Sequence, residues 1–255
     1  MLILISCAKT MVKHPLGIKT PFITKPLFQE NAAHIAFLMS NYSAPELQKL
    51  LRINGKLALE NYQRYQEFHG KRSDILPAIL GYTGMVFKKI HPSTFTAEDF
   101  LYAQKHLRIT SFCYGLLCPL DSICPYRLEG DVRLPELNDS TLFQYWRPLL
   151  TDLLIEEVKQ CGGILLNLAS AEMKGLFDWL RIEKEIRIIT PEFQVEKGER
   201  LTTIVIYTKM LRGLLSRYVI QNQIEDPQLL KNFTAEGFEF DASLSNEKHL
   251  FYILR

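Results

Sequence analysis

Met1-Leu-Ile-Leu-Ile-Ser-Cys-Ala-Lys-Thr10 opens the chain with an unbroken apolar run closed by small and polar residues. A run this short and continuous fits a strand buried on both faces, as in a sheet that carries helices on either side. Lys9 and Thr10 then fall at the strand's end, where mixed α/β sheets tend to place their sites.

Outward from this strand, three prolines and a glycine between Val12 and Pro26 read as a surface loop. Ala33, Ala36, Phe37 and Met39 return at helical spacing after Leu27. Ser43 and Glu46 form a capping-box pattern, with Pro45 tolerated in the first turn, and open a helix lined by Leu47, Leu50 and Leu51. A break at Asn54-Gly55 precedes a second helix through Leu57, Ala58, Tyr62 and Tyr65, so 45–68 reads as two helices around a short hairpin. Thr96 caps a helix to Leu107, with Glu98 and Asp99 in its first turn. Leu116 to Arg133 is too polar and broken for a core element and reads as a long loop lining something.

Thr141 to Val158 is a helix closed by Gly162-Gly163, and Ile164 to Leu168 follows as a strand. Ser170 to Leu180 returns to helix. Glu185–Val195 and Leu201–Tyr207 read as a hairpin turning at 196–199. Lys209 to Ile224 is a helix with Leu211, Leu214, Leu215 and Val219 on one face. Gly237–Phe240 and Leu250–Leu254 read as short strands. No repeat or flexible linker divides the chain, so a single mixed α/β domain over 1–255 is expected.

Composition sets outer limits. With 47% hydrophobic and 23% charged residues, the chain is neither disordered nor fibrous. No apolar run approaches the roughly 20 residues that cross a bilayer, and the opening is too short for a signal-peptide core. Five scattered cysteines without an export signal point to reduced thiols and a cytoplasmic location, with no membrane partner. A net charge of +2 permits a local basic cleft without requiring one.

Several polar clusters carry possible chemistry. At Leu51-Arg52-Ile53-Asn54-Gly55-Lys56 a tight turn would offer backbone N–H groups and cations to a phosphate, although helical hairpins are also ordinary packing units. Lys9 and Thr10, the Pro119–Glu129 loop, the strand exit from Asn167 to Glu172, and the Lys209–Arg217 helix could converge into one cleft. Equally, Asp121, Arg127 and Glu129 could be an ion-paired staple, Asn167 and Ser170 helix caps, and Arg212 and Arg217 a solvated face. Cys113, Cys118 and Cys124 are spaced too widely for a zinc knuckle, and the six histidines show no ligand pairing. No phosphate-loop or G-x-S-x-G pattern occurs, so neither a metal nor a cofactor is expected.

The opening residues resemble M-L-I-L-I-S-P-A-K-T, the start of the bacterial peroxide-stress YaaA family. Further resemblances follow in order: His106-Leu107-Arg108, Tyr114-Gly115, Pro119-Leu120-Asp121, Pro125 to Glu129, Asn167 to Ser170, Arg212-Gly213, Ser216-Arg217 and Glu236-Gly237-Phe238. The resemblance implies a cytosolic protein with one α/β domain, a basic cleft, a helix-hairpin-helix element and binding to DNA. It further implies defence against hydrogen peroxide by limiting free iron and DNA damage. Cys7, Met85, Cys118, Ala171 and Met210 depart from the family pattern, replacing proline, aspartate, arginine, aspartate and lysine.

Two main functions follow as expectations. In one, Lys9, Arg52, Asn54, Gly55, Lys56, Arg108, Arg127, Lys209, Arg212 and Arg217 bind duplex or branched DNA without sequence preference, beside a cleft of Thr10, Tyr114, Asp121, Tyr126, Glu129, Asn167, Ser170 and Glu172. In the other, the protein is an enzyme acting on a small polar metabolite or nucleobase, its acids supplying proton transfer and its arginines holding an anion. A third reading, iron sequestration, has oxygen ligands too dispersed to nominate a site. A continuous groove wide enough for a duplex would favour the first, a closed pocket of mixed charge the second.

Overall fold

A computed structural model describes residues 1–12, 17–70 and 75–255. The first strand, β1, spans Leu2–Ser6, and its four residues Leu2 to Ile5 are fully buried. Burial on both faces means that helices cover the sheet on both sides. The helices α1 (Gln29–Ser40), α2 (Ala44–Leu50) and α3 (Gly55–Glu67) follow, then β2 (Leu76–Pro77), α4 (Ala78–Gly81), α5 (Met85–Ile90) and α6 (Ala97–His106). Next come β3 (Leu107–Ser111), β4 (Gly115–Leu117), β5 (Ser122–Ile123), α7 (Leu142–Gln160) and β6 (Ile164–Asn167). The chain ends with α8 (Trp179–Glu185), β7 (Arg187–Lys197), β8 (Arg200–Thr202), α9 (Val205–Gln221), β9 (Glu239–Asp241) and β10 (His249–Leu254).

The main sheet runs β4-β3-β1-β6-β7-β10-β9, with β8 added against β7, while β2 and β5 pair separately. β3, β1, β6, β7 and β10 are parallel to their neighbours in that series. Counting only these parallel strands in chain order, the sheet reads 2-1-3-4-5, a doubly wound arrangement whose chain direction reverses between β1 and β6. Such a reversal opens a crevice at the carboxyl ends of the two strands. α6 packs on β1 and β3 and against α9, whereas α7 packs on β4 and β6 and against α8. The mixed α/β fold in one domain is therefore as the sequence indicates.

Local chemistry explains most element ends. The capping boxes of Ser43 with Glu46, Thr96 with Asp99 and Thr141 with Gln144 open α2, α6 and α7. Gly162 and Gly163, both at positive φ, close α7. In the hairpin, the Ile53 amide donates to the Gln48 carbonyl and the Arg52 amide to that of Lys49, a Schellman ending for α2. Arg52 therefore takes the left-handed position, at φ 52°, that glycine usually fills. Gly55 instead begins α3, capped by the Asn54 side chain, so the turn lies earlier than the Asn54-Gly55 pair suggested.

Four further boundaries differ. Val205 to Tyr207, β-prone in sequence, start α9; Val205 and Ile206 are exposed and pair with no strand among the described residues. The expected Ser170–Leu180 helix is a 3-10 turn over Ala171–Leu176, and Asp178 accepts from the Arg181 amide to begin α8 anew. The long loop after Leu116 contains the end of β4 and all of β5. α4 and α5, too short to show periodicity, were not legible. Just before the 12–26 loop Met11 bridges to Tyr82, and within the loop Thr24 bridges to Asp121, while 13–16 lie outside the described residues.

Candidate ligand pocket at the strand ends

A cavity of about 370 Å³ occupies the crevice where β1 and β6 diverge. Ser6 to Thr10 line it from the end of β1, Leu168, Ser170, Glu172 and Met173 from the exit of β6, and Phe112 from the exit of β3. Gly84 to Phe87 on and before α5, Tyr126 to Leu128 and two residues of α9, Lys209 and Arg212, complete it. Phe87, Phe112, Tyr126, Leu168 and Met173 are buried, whereas Lys9, Thr10, Glu172 and Lys209 are exposed, so an apolar interior opens through a charged mouth.

Lys9 Nζ lies 2.6 Å from Glu129 Oε2, and Arg127 Nη2 lies 3.4 Å from Glu129 Oε1. Arg127 Nη1 reaches the Lys9 carbonyl at 3.4 Å, so strand exit and loop meet in one cluster. Across the cavity, Lys209 and Arg212 share a face of α9 at i, i+3 spacing. Among the described residues the Arg212 side chain has no hydrogen bond or ion pair, and burial lowers its proton affinity while the nearby charge of Glu192 raises it. The Nε atoms of Arg127 and Arg212 are both buried and have no partner among the described residues. An unsatisfied buried donor costs about 1–3 kcal/mol, so two of them on residues lining one cavity call for a polar partner there.

The polar floor is fixed by hydroxyls. Ser6 Oγ donates to Ser170 Oγ at 3.2 Å and accepts from the Ser170 amide at 2.8 Å, tying the β1 and β6 exits together. Beneath them, Tyr126 shares hydrogen bonds with Tyr82 at 2.8 Å and Ser111 at 2.7 Å, and burial drives both phenols far above their ordinary range. Cys7 is pushed up to about 12, first by burial and then by Glu172, so its thiol keeps its proton at neutral pH.

The expected residues divide accordingly. Lys9, Thr10, Tyr126, Arg127, Ser170, Glu172, Lys209 and Arg212 come together, and Glu129 joins them through its ion pairs. Asp121 does not line the pocket: it is buried, accepts from Thr24 at 2.7 Å and from the Cys118 amide at 2.8 Å, and staples the loop. Burial raises its pKa, and the two hydrogen bonds oppose the shift. Tyr114 is buried and receives the Cys124 amide, and Asn167 caps the β6 exit by accepting from the Ala169 amide. Arg108 is spent on Glu157 at 2.9 Å, and Arg217 donates to the carbonyls of Ile90 and His91 beside the Phe95 ring. Arg52 pairs with Asp131, and Lys56 stays exposed on α3; neither reaches the cavity.

A family model described as peroxide stress protein YaaA matches residues 1–244. The chain belongs to the peroxide stress protein YaaA family. A UPF0246 protein of Bacteroides thetaiotaomicron is 58% identical over 253 residues, covering 99% of this chain and 98% of the relative. Others are 47% identical in Porphyromonas gingivalis, over 258 residues and the full length of both chains, and 35% in Clostridium beijerinckii, over 253 residues, 99% of this chain and 97% of the relative. Two YaaA-like motifs have a clear structural sense here. In Arg212-Gly213, arginine enters the pocket while a Cβ on Gly213 would strike the Val86 carbonyl, so glycine lets α5 close against α9. In Pro125 to Glu129, Tyr126, Arg127 and Leu128 face the pocket. The α5 contribution of Met85, Val86 and Phe87 was missed apart from Met85, noted only as a departure; a helix of six residues carries no sequence signal. Among the described residues no helix is long and apolar enough to cross a membrane.

Proposed function

We propose that this peroxide-stress family member binds and acts on a small polar, anionic metabolite in the strand-end pocket. The observation that carries this reading is the open-mouthed cavity lined by Arg127 and Arg212, whose buried Nε donors have no partner among the described residues, beside the carboxylates of Glu129 and Glu172. A pocket of about 370 Å³ suits a metabolite or nucleobase. The arginines would orient the anion, and Glu172, exposed at the mouth and without an ion pair among the described residues, would move a proton. The test is thermal unfolding against a panel of small anionic and neutral metabolites. A rise in Tm for anionic members, absent in Arg212→Gln, is expected; no shift with any small molecule would overturn the reading.

A second reading, DNA binding in limitation of peroxide damage and free iron, is favoured by the hairpin. Asn54 accepts the Leu57 amide at 3.0 Å, and the first-turn amides of Gly55 and Lys56, which have no intrahelical acceptor, lie beside the exposed Lys56 cation. Its test is the salt dependence of duplex affinity. Lys56→Glu should make the slope of log affinity against log salt shallower by about one unit.

A further inference from the structure

The pocket's charges do not cancel. Lys9, Arg127, Lys209 and Arg212 face Glu129 and Glu172, so among the described residues two positive charges remain uncompensated. They are also unevenly placed. Glu129 answers the cluster of Lys9 and Arg127, whereas Lys209 and Arg212 have no ion-pair partner among the described residues. Glu192 acts on Arg212 only through space, and it lies 3.5 Å from His249.

We propose that the α9 pair reads a phosphate monoester, a deepening that rests on the small-molecule reading of this pocket. A monoester near neutral pH carries close to two negative charges, which matches the surplus, and presents three acceptor oxygens. Arg212 brings a planar fork suited to two of them, and Lys209, one turn earlier on the same face, brings a mobile point charge. A carboxylate would leave one positive charge unanswered. The apolar interior of Phe87, Phe112, Leu168 and Met173 receives the body of the ligand, with the phosphate held toward the mouth where the exposed Lys209 stands. Either a free phosphorylated metabolite or the terminal phosphate of a nucleic acid strand supplies this chemistry.

The experiment is calorimetric titration of the full chain with phenyl phosphate, methyl phenyl phosphate, benzoate and phenol. Phenyl phosphate should bind at one site, about tenfold or more tighter than the singly charged diester or benzoate, and phenol weakest. Lys209→Gln, at an exposed position that leaves folding intact, should weaken phenyl phosphate about tenfold, and Arg212→Gln more. A 5′-phosphorylated oligonucleotide competing better than its 5′-hydroxyl form assigns the strand-end source; competition by neither assigns the free metabolite. Benzoate binding as tightly as phenyl phosphate, or phenyl phosphate affinity unchanged in Lys209→Gln, overturns the phosphate assignment and leaves the pocket reading standing. Failure of every probe overturns the assignment too, and the metabolite panel then decides the pocket separately.

Discussion

Tyr65 donates its hydroxyl hydrogen to the backbone carbonyl of Arg127 at 2.6 Å, so α3 of the hairpin holds the segment that carries a pocket cation. Tyr65 is 1% exposed, and its loss would leave that carbonyl unanswered inside the protein. Tyr65→Phe should lower unfolding stability by about 1–2 kcal/mol in urea titrations and weaken ligand binding in the pocket as well. A variant with unchanged stability and affinity would show that the hairpin does not support the site.

Arg127 itself should behave differently. Its contacts to Lys9 and Glu129 are both 3.4 Å, and Glu129 keeps the closer Lys9 when Arg127 is removed. Arg127→Ala is therefore expected to change stability by less than about 1 kcal/mol while weakening binding of an anionic ligand about tenfold or more. Thermal unfolding and titration on the same preparation separate the two effects. A large fall in Tm with intact binding would make the cluster a structural staple.

Gly213 is the point where α9 meets α5. Gly213→Ala places a methyl group against the Val86 carbonyl and the Lys89 side chain, and backbone must move to admit it. A loss of about 1–3 kcal/mol is expected, with displacement of the Met85–Phe87 wall and weaker ligand binding. Equilibrium unfolding with and without ligand measures both.

The β1 run, the capping boxes and Gly162-Gly163 were legible because each encodes its structure locally. The site was half legible: Lys9, Arg127, Glu172 and Arg212 were named, but their meeting depends on the strand order, which pairs β1 with β3 and β6 across more than a hundred residues. Arg108 and Arg217 resembled the pocket cations in type and spacing, and only the fold shows that Glu157 and two carbonyls occupy them. Val205 and Ile206 misled for the opposite reason: their β preference has no sheet to act on.

Cys7 gives a pH prediction. Its folded pKa, about 12, stands above the ordinary thiol value near 8.5, because burial and then Glu172 disfavour the thiolate. The contribution to stability is complete below about pH 8.5 and is lost as the pH climbs toward the folded value, where the unfolded chain alone ionises. In the folded protein, alkylation of Cys7 by iodoacetamide at about pH 8 should be far slower than in urea, as read by mass spectrometry of the modified peptide. Equal rates would show an accessible thiolate in the pocket.

Competition between a small anion and duplex DNA tests the central claim most directly. Titration of the wild-type protein and Arg212→Gln with the best anionic metabolite, alone and with excess duplex lacking terminal phosphates, should show saturable binding at one site that the substitution abolishes and the duplex does not displace. The contrary result is a protein that saturates with no small anion and whose duplex affinity is lost in Arg212→Gln; the pocket cations would then serve nucleic acid and not a metabolite.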